Sequence, residues 1–207
     1  MRKIRETIRN VKKPILKYLV ELTIVAFGVF LGMMVSEYKS NRKIKENTTK
    51  SRSFIVSELE TNIQILNRNI QYHEEIKKGF DSLRTNLSEE IAYSTYFSNQ
   101  QFRAEQIPGW SGIGITRLEN IAFESAKIGG IIQNMDIDEV KQISSAYQIL
   151  DVNQEFGDSI TQKLMAMNSA SKILDMVAII ELLTNDYLYN EKLLVNELNK
   201  TLEKLKK

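Results

Sequence analysis

The feature that most constrains this chain is an apolar run of eighteen residues, Tyr18 to Val35, reading YLVELTIVAFGVFLGMMV, with Glu21 its only charge and Thr23 its only other polar side chain. As a helix rising ~1.5 Å per residue it nearly matches the ~30 Å hydrocarbon core of a bilayer. A buried core helix of this length carries a polar stripe, and none is present, so residues 15–36 are expected to form a transmembrane helix. A cleaved signal peptide needs small residues at its exit, whereas Gly32, Met33, Met34, Val35 and Ser36 lead directly into Glu37 and Tyr38. An uncleaved signal anchor fits better.

Charge is distributed around this run. Residues 1–52 hold thirteen Lys/Arg against four Asp/Glu, a net +9, and the remainder holds fifteen against twenty-two, a net −7. Basic charge gathered around one apolar segment points to anionic lipid headgroups. Nucleic acid is not an expected partner, since no zinc-finger, helix-turn-helix or RNA-recognition pattern accompanies the charge. In residues 1–14, Ile4, Ile8 and Val11 recur at helical spacing among Arg2, Lys3, Arg5, Arg9, Lys12 and Lys13. This predicts a cationic amphipathic segment lying on a membrane surface, after which Pro14 permits a new helix to start. Seven Lys/Arg in residues 1–17 face six in residues 36–52, so the positive-inside rule nearly cancels. The net charges, +6 against +4, favour the N-terminus inside and the large C-terminal part outside.

Within the span, Gly28, Gly32 and Ser36 place small residues one turn apart, and Glu21 lies seven residues before Gly28 on nearly the same face. Small residues let another helix approach closely, so this face is the candidate association surface. In the plainer alternative Glu21 reaches out to the headgroups, and the glycines reflect their general frequency in membrane helices.

Between Gly32 and Gly79 there is neither glycine nor proline, and nothing obliges the spanning helix to stop. Residues 37–53 are expected to be a basic polar stalk, with Ile44 its lone aliphatic residue, and residues 54–207 a helical bundle domain. Ile55, Leu59, Ile63, Leu66, Ile70, Ile76, Phe80, Leu83 and Leu87 form one stripe. Asn62 and Asn69 occupy heptad core positions of that stripe, which argues against a strict two-stranded coiled coil and for packing against helices of the same chain. Residues 88–116 interrupt the pattern: Ser88 is suited to cap a short helix, and Pro108, Gly109, Gly112 and Gly114 mark a connector. Pro108 and the only tryptophan, Trp110, are candidates for a partner-binding loop, the alternative being that Trp110 folds back over the bundle. The run GWSGIG lacks the GK[ST] ending of a phosphate loop. Thr116 with Glu119 predicts a capping box opening a helix that Gly129 and Gly130 end, and Asp136 with Glu139 opens the next. Stripes from Val140 to Met167, with a bend near Gly157, and from Ile173 to Leu205 predict two further long helices. The expected fold is all-α, one N-terminal transmembrane helix continuing into a bundle of long antiparallel helices, with sheet content near zero.

Glu21-Leu22, Gly28-Val29, the basic run, and Glu58-Leu59 with Asn62 and Leu66 together resemble the N-terminal region of a broad group of single-span bacterial membrane proteins with a helical exterior domain. The stretch LENIAFESAKIGGIIQNMDIDEVKQISSAYQI is similar to that group's second shared segment, with Phe123 where many carry tryptophan or tyrosine. The resemblance implies architecture and no activity. Taken with the charge counts flanking the span, it makes the expected location the bacterial inner (cytoplasmic) membrane, crossed once, with the C-terminal domain periplasmic.

Enzymatic chemistry is poorly provided for. With no cysteine and one histidine, thiolate zinc sites, cysteine nucleophiles and His-rich metal centres are excluded. His73 lies on the apolar side of its helix with Glu74 and Glu75 on other faces, the pattern of a satisfied core histidine rather than a general base. Glu89/Glu90 and Asp136/Asp138 diverge on a helix and suit neither a shared metal nor an acid-base pair. No catalytic residue, metal or cofactor is expected. The leading reading is a membrane-anchored interaction or scaffold protein, an accessory subunit of a membrane complex engaging a protein partner or a second copy. The alternative is an extracytoplasmic helical module that senses a ligand. With seventeen residues before the span, such a module would signal through a separate protein.

Overall fold

The computed structural model describes the backbone of residues 2–206 and the side chains of residues 17–206. The side-chain pattern expected for the cationic segment 1–14 lies outside the described residues. All regular structure described is helical, and among the described residues the only β pairing is an isolated bridge between Thr95 and Lys172. The helices are α1 (Arg2–Arg84), α2 (Glu89–Ala92), α3 (Ile121–Ile128), α4 (Ile137–Met165), α5 (Ile173–Glu181) and α6 (Leu188–Leu205). The chain divides into two compact units, Met1–Thr49 and Lys50–Lys207, and the division falls inside the sequence-defined stalk 37–53.

In the second unit, pairs of side chains fix helix direction. Glu60 meets Lys206, Glu74 meets Lys192 and Lys77 meets Asn185, so α1 runs antiparallel to the C-terminal arm, residues 182–206, that contains α6. Gln142 meets Glu197 and Thr201 while Asn153 meets Tyr187, so α4 is also antiparallel to that C-terminal arm. Arg52 pairs with Glu139, and Glu58 with Tyr147, so α1 and α4 run the same way. Two parallel neighbours need a connection that travels back along the bundle, and residues 85–136 supply it.

The local signals explain most helix ends. Ser88 accepts from the Ile91 amide at the start of α2, and Asp136 accepts from the Asp138 and Glu139 amides at the start of α4. Gly129 ends α3, and Gly130 takes a left-handed φ of 66°. The Thr116–Glu119 capping box does not form. Instead Thr116 donates to Asn69, the Glu119 amide donates to Asn62, and α3 starts five residues after Thr116. Its first amides, Ala122 at 2.7 Å and Phe123 at 3.4 Å, donate to the Glu58 carboxylate of α1. A carboxylate from another helix therefore does the capping, aided by the positive end of the helix dipole.

The third expected helix is interrupted by a π-helical turn, Leu182–Tyr187. The Thr184 hydroxyl donates back to the Ile180 carbonyl at 2.8 Å, and the extra residue widens the buried face to include Leu183, Thr184, Tyr187 and Leu188. At Gly157 the interior of α4 is tightly approached: an added Cβ would lie 2.8 Å from Ile115 and 3.1 Å from the Tyr187 hydroxyl. Its role is close packing.

Residues 108–120 form an extended strap laid antiparallel on α1. Tyr72 accepts from the Ser111 amide and donates to the Gly112 carbonyl, and Asn62 both accepts from and donates to the Glu119 backbone, at 2.8 and 2.7 Å. Gln154 of α4 donates to the Leu118 carbonyl. The strap takes its sharpest constraint at Gly114, with φ of +71° and a would-be Cβ 2.4 Å from the Tyr72 ring. Left-handed strain and overpacking each cost on the order of 1–3 kcal/mol. Gly114→Ala is therefore expected to destabilise the second unit by about 2–4 kcal/mol. Gly109→Ala, at φ +84° with open space around the position, should cost about 1 kcal/mol. Denaturant midpoints read from Trp110 emission compare the two, and equal losses would refute the strap packing described.

Candidate functional site

In the first unit the described side chains of the apolar run are all exposed, from 45% for Leu31 to 70% for Tyr18, and none of the apolar window is buried. Glu21 sits 3.9 Å from Lys17, one turn earlier, with both side chains more than half exposed. Thr23 returns its hydroxyl to the Leu19 carbonyl. Nothing lies within 4 Å of a Cβ built on Gly28 or Gly32, and Ser36 is exposed. Helical geometry thus puts the four candidate association residues on one open face, without a protein neighbour among the described residues. By length and composition, this helix is able to cross a membrane.

Pro108 is exposed and its carbonyl lies over Gly79, where an added Cβ would be 2.8 Å away. Trp110 is half-buried and packs against two apolar clusters, one around Ile76, Phe80 and Met176, the other around Ile160, Leu183 and Tyr187.

The second unit contains a site that the sequence only hints at. A larger cluster holds Leu66, Leu150 and Leu194, and the other clusters resume at Ile76, Ile160 and Tyr187. Each helix places buried polar residues between these clusters: Asn69 and His73 on α1, Asn153 on α4 and Glu191 on α6. His73 is fully buried, its Nδ1 2.8 Å from Glu191 Oε2 and its Nε2 3.1 Å from the Ile113 carbonyl of the strap. A carbonyl cannot donate, so Nε2 carries a hydrogen, and a single further proton is shared between Nδ1 and Oε2. Burial pushes the Glu191 carboxyl up from its ordinary range, and hydrogen bonding and charge from His73 pull against it. Glu191 Oε1, Asn69 Nδ2 and Asn153 Nδ2 are buried without partners. Burial also raises the Tyr187 phenol, whose ring meets that of His73 edge-on.

His73 thus has the satisfied setting its position suggested, and its partner comes from 118 residues away. The signal for Glu191 was a gap, since the stripe of the third helix passes from Tyr187 to Leu194 with a carboxylate at the intervening step. Among the described residues no group of three or more His, Asp or Glu side chains is arranged to hold a metal. The arrangement joins α1, the strap and α6 through one proton-sharing pair. Comparison with protein-family models, with curated proteins and with solved structures finds no match.

A carboxyl whose native pKa is raised binds its proton more tightly folded than unfolded. Its contribution to stability is present below the unfolded value, ~4.3, and is lost as pH rises toward the native value. Glu191→Gln preserves geometry, because the amide can donate to Nδ1 while Nε2 continues to donate to Ile113. The difference in melting temperature between wild type and Glu191→Gln should therefore shift in favour of Gln as pH rises through that window, and a pH-independent difference would contradict the raised carboxyl. His73→Leu leaves Glu191 and the Ile113 carbonyl unpaired and should cost about 3–5 kcal/mol, with partial recovery in His73→Leu/Glu191→Leu.

Proposed function

We propose that this chain is a membrane-anchored helical interaction protein, an accessory subunit of a membrane complex. Residues 15–36 cross the bacterial inner membrane once, the unit Lys50–Lys207 lies on the periplasmic side, and the face of Glu21, Gly28, Gly32 and Ser36 packs against a helix of a partner or of a second copy. The observation that carries this reading is the apolar surface of Tyr18–Val35, left uncovered among the described residues. In water, such a continuous apolar surface is unfavourable by roughly 25 cal/mol per Å², and a bilayer removes that cost. The open positions at Gly28 and Gly32 add the second part, since backbone approach needs space where a side chain would otherwise stand.

Replacing Gly28 and Gly32 with isoleucine fills that space with branched side chains. Contacts of this type are worth ~0.6 to 2 kcal/mol each, so Gly28→Ile/Gly32→Ile is expected to weaken association about ten- to a hundredfold. Membrane insertion should persist, because isoleucine adds apolar character. Co-purification in mild detergent and membrane fractionation read the two effects separately. Unchanged association sinks the glycine face, whereas loss of the membrane fraction sinks the span. A reporter fused after residue 207 should be active only outside the cytoplasm, and cytoplasmic activity would reverse the proposed orientation.

A further inference from the structure

Beside the strap lies a groove of about 430 Å³ whose walls include Tyr96, Phe97, Arg103, Trp110, Met165 and Met167. Its volume is within the ~300–1,000 Å³ of small-molecule sites, and aromatic and thioether walls with few polar groups are the usual lining of such sites. Part of that lining faces water: Met165 is 80% exposed and Phe97 46% exposed.

Arg103 sets the chemistry. It is half-buried, one of its terminal nitrogens donates to the Phe97 carbonyl at 2.9 Å, and its Nε is buried with no acceptor. Among the described residues no carboxylate forms an ion pair with it. A guanidinium that is partly withdrawn from water and short of acceptors is stabilised by an anion delivered to its remaining N–H groups. Among the described residues Arg103 is the one cation lining the groove, and the exposed carboxylate Glu105 stands at the same groove, which disfavours a dianion such as a phosphate monoester.

We propose that this groove binds a small monocarboxylate with an aromatic or aliphatic body, the carboxylate on Arg103 and the body against Trp110, Phe97, Met165 and Met167. The proposal is independent of the membrane reading.

Trp110 is the only tryptophan in the chain, so its emission reports on the groove directly. Full-length protein in phosphatidylcholine vesicles is titrated with phenylbutyrate, phenylbutanol and phenylbutylamine, which share a body and differ in the end group. Phenylbutyrate is expected to give a saturable change at concentrations at least tenfold lower than the alcohol or the amine. Arg103→Gln should weaken phenylbutyrate about tenfold or more, to the level of the alcohol, as expected for loss of a charge-assisted hydrogen bond. Should that variant fail to fold, Met165→Glu decides. It changes an exposed side chain, and the added negative charge should weaken phenylbutyrate and strengthen phenylbutylamine. The proposal is overturned by the absence of a saturable response to phenylbutyrate, by equal affinity for acid and alcohol, or by responses that Arg103→Gln and Met165→Glu leave unchanged, which is the behaviour of partition into lipid.

Discussion

A non-helical segment inside a helical bundle survives only if its peptide groups find partners, and here they find them on the side chains of α1. Buried amides and carbonyls left unpaired cost ~1–3 kcal/mol each. Asn62 answers both backbone groups of Glu119, Tyr72 answers Ser111 and Gly112, His73 answers Ile113, and Glu58 answers the first amides of α3. These residues fall at helical intervals on one face. The polar positions interrupting the apolar stripe of α1 are therefore the strap's docking rail, and the strap in turn returns the chain to the end from which α4 can start parallel to α1.

Much of the architecture was legible because it rests on local physics. Apolar periodicity, the absence of Gly and Pro between Gly32 and Gly79, and the Ser88, Asp136 and Gly129–Gly130 signals act within a few residues, and their helices and caps stand where the sequence indicates. The failures are equally instructive. Thr116 and Glu119 have the spacing of a capping box, but both are taken by α1 side chains, so long-range partners override a local motif. The π turn has no short-range signature apart from Thr184, since its extra residue answers to which faces must be buried at once. His73 announced itself as a core residue, whereas Glu191 and Asn153 could be noticed only as gaps in apolar stripes. Periodicity shows that a polar residue is buried without showing what it meets.

The two units differ in what covers their apolar side chains. The second gathers apolar side chains into buried clusters, although others such as Ile128, Ile137 and Met165 stay exposed, and its buried polar groups bond the strap and one another. The first leaves its apolar run uncovered, a pattern that makes physical sense where lipid chains or another helix supply the contacts. Glycine illustrates the contrast. Gly114 and Gly157 are tightly enclosed by neighbours, whereas Gly28 and Gly32 are surrounded by nothing.

The parallel course of α1 and α4 also sets an order of events during synthesis. The hairpin of α4 with the C-terminal arm joins segments adjacent in sequence, whereas α1 reaches its α6 partners across long separations: 118 residues from His73 to Glu191 and 146 from Glu60 to Lys206. Chain elongation at ~5–20 residues per second leaves the stripe of α1 without those partners for several seconds after it emerges. Closing so distant a contact comes late in folding, because its entropy must be met before the contact contributes. For that interval the half-finished chain displays an apolar, asparagine-bearing helix face; Tyr96, Phe102 and Ile107, which cluster with Ile76 and Phe80, reach it first, and the strap, pinned to that same helix by Asn62 and Tyr72, follows to shield the rest.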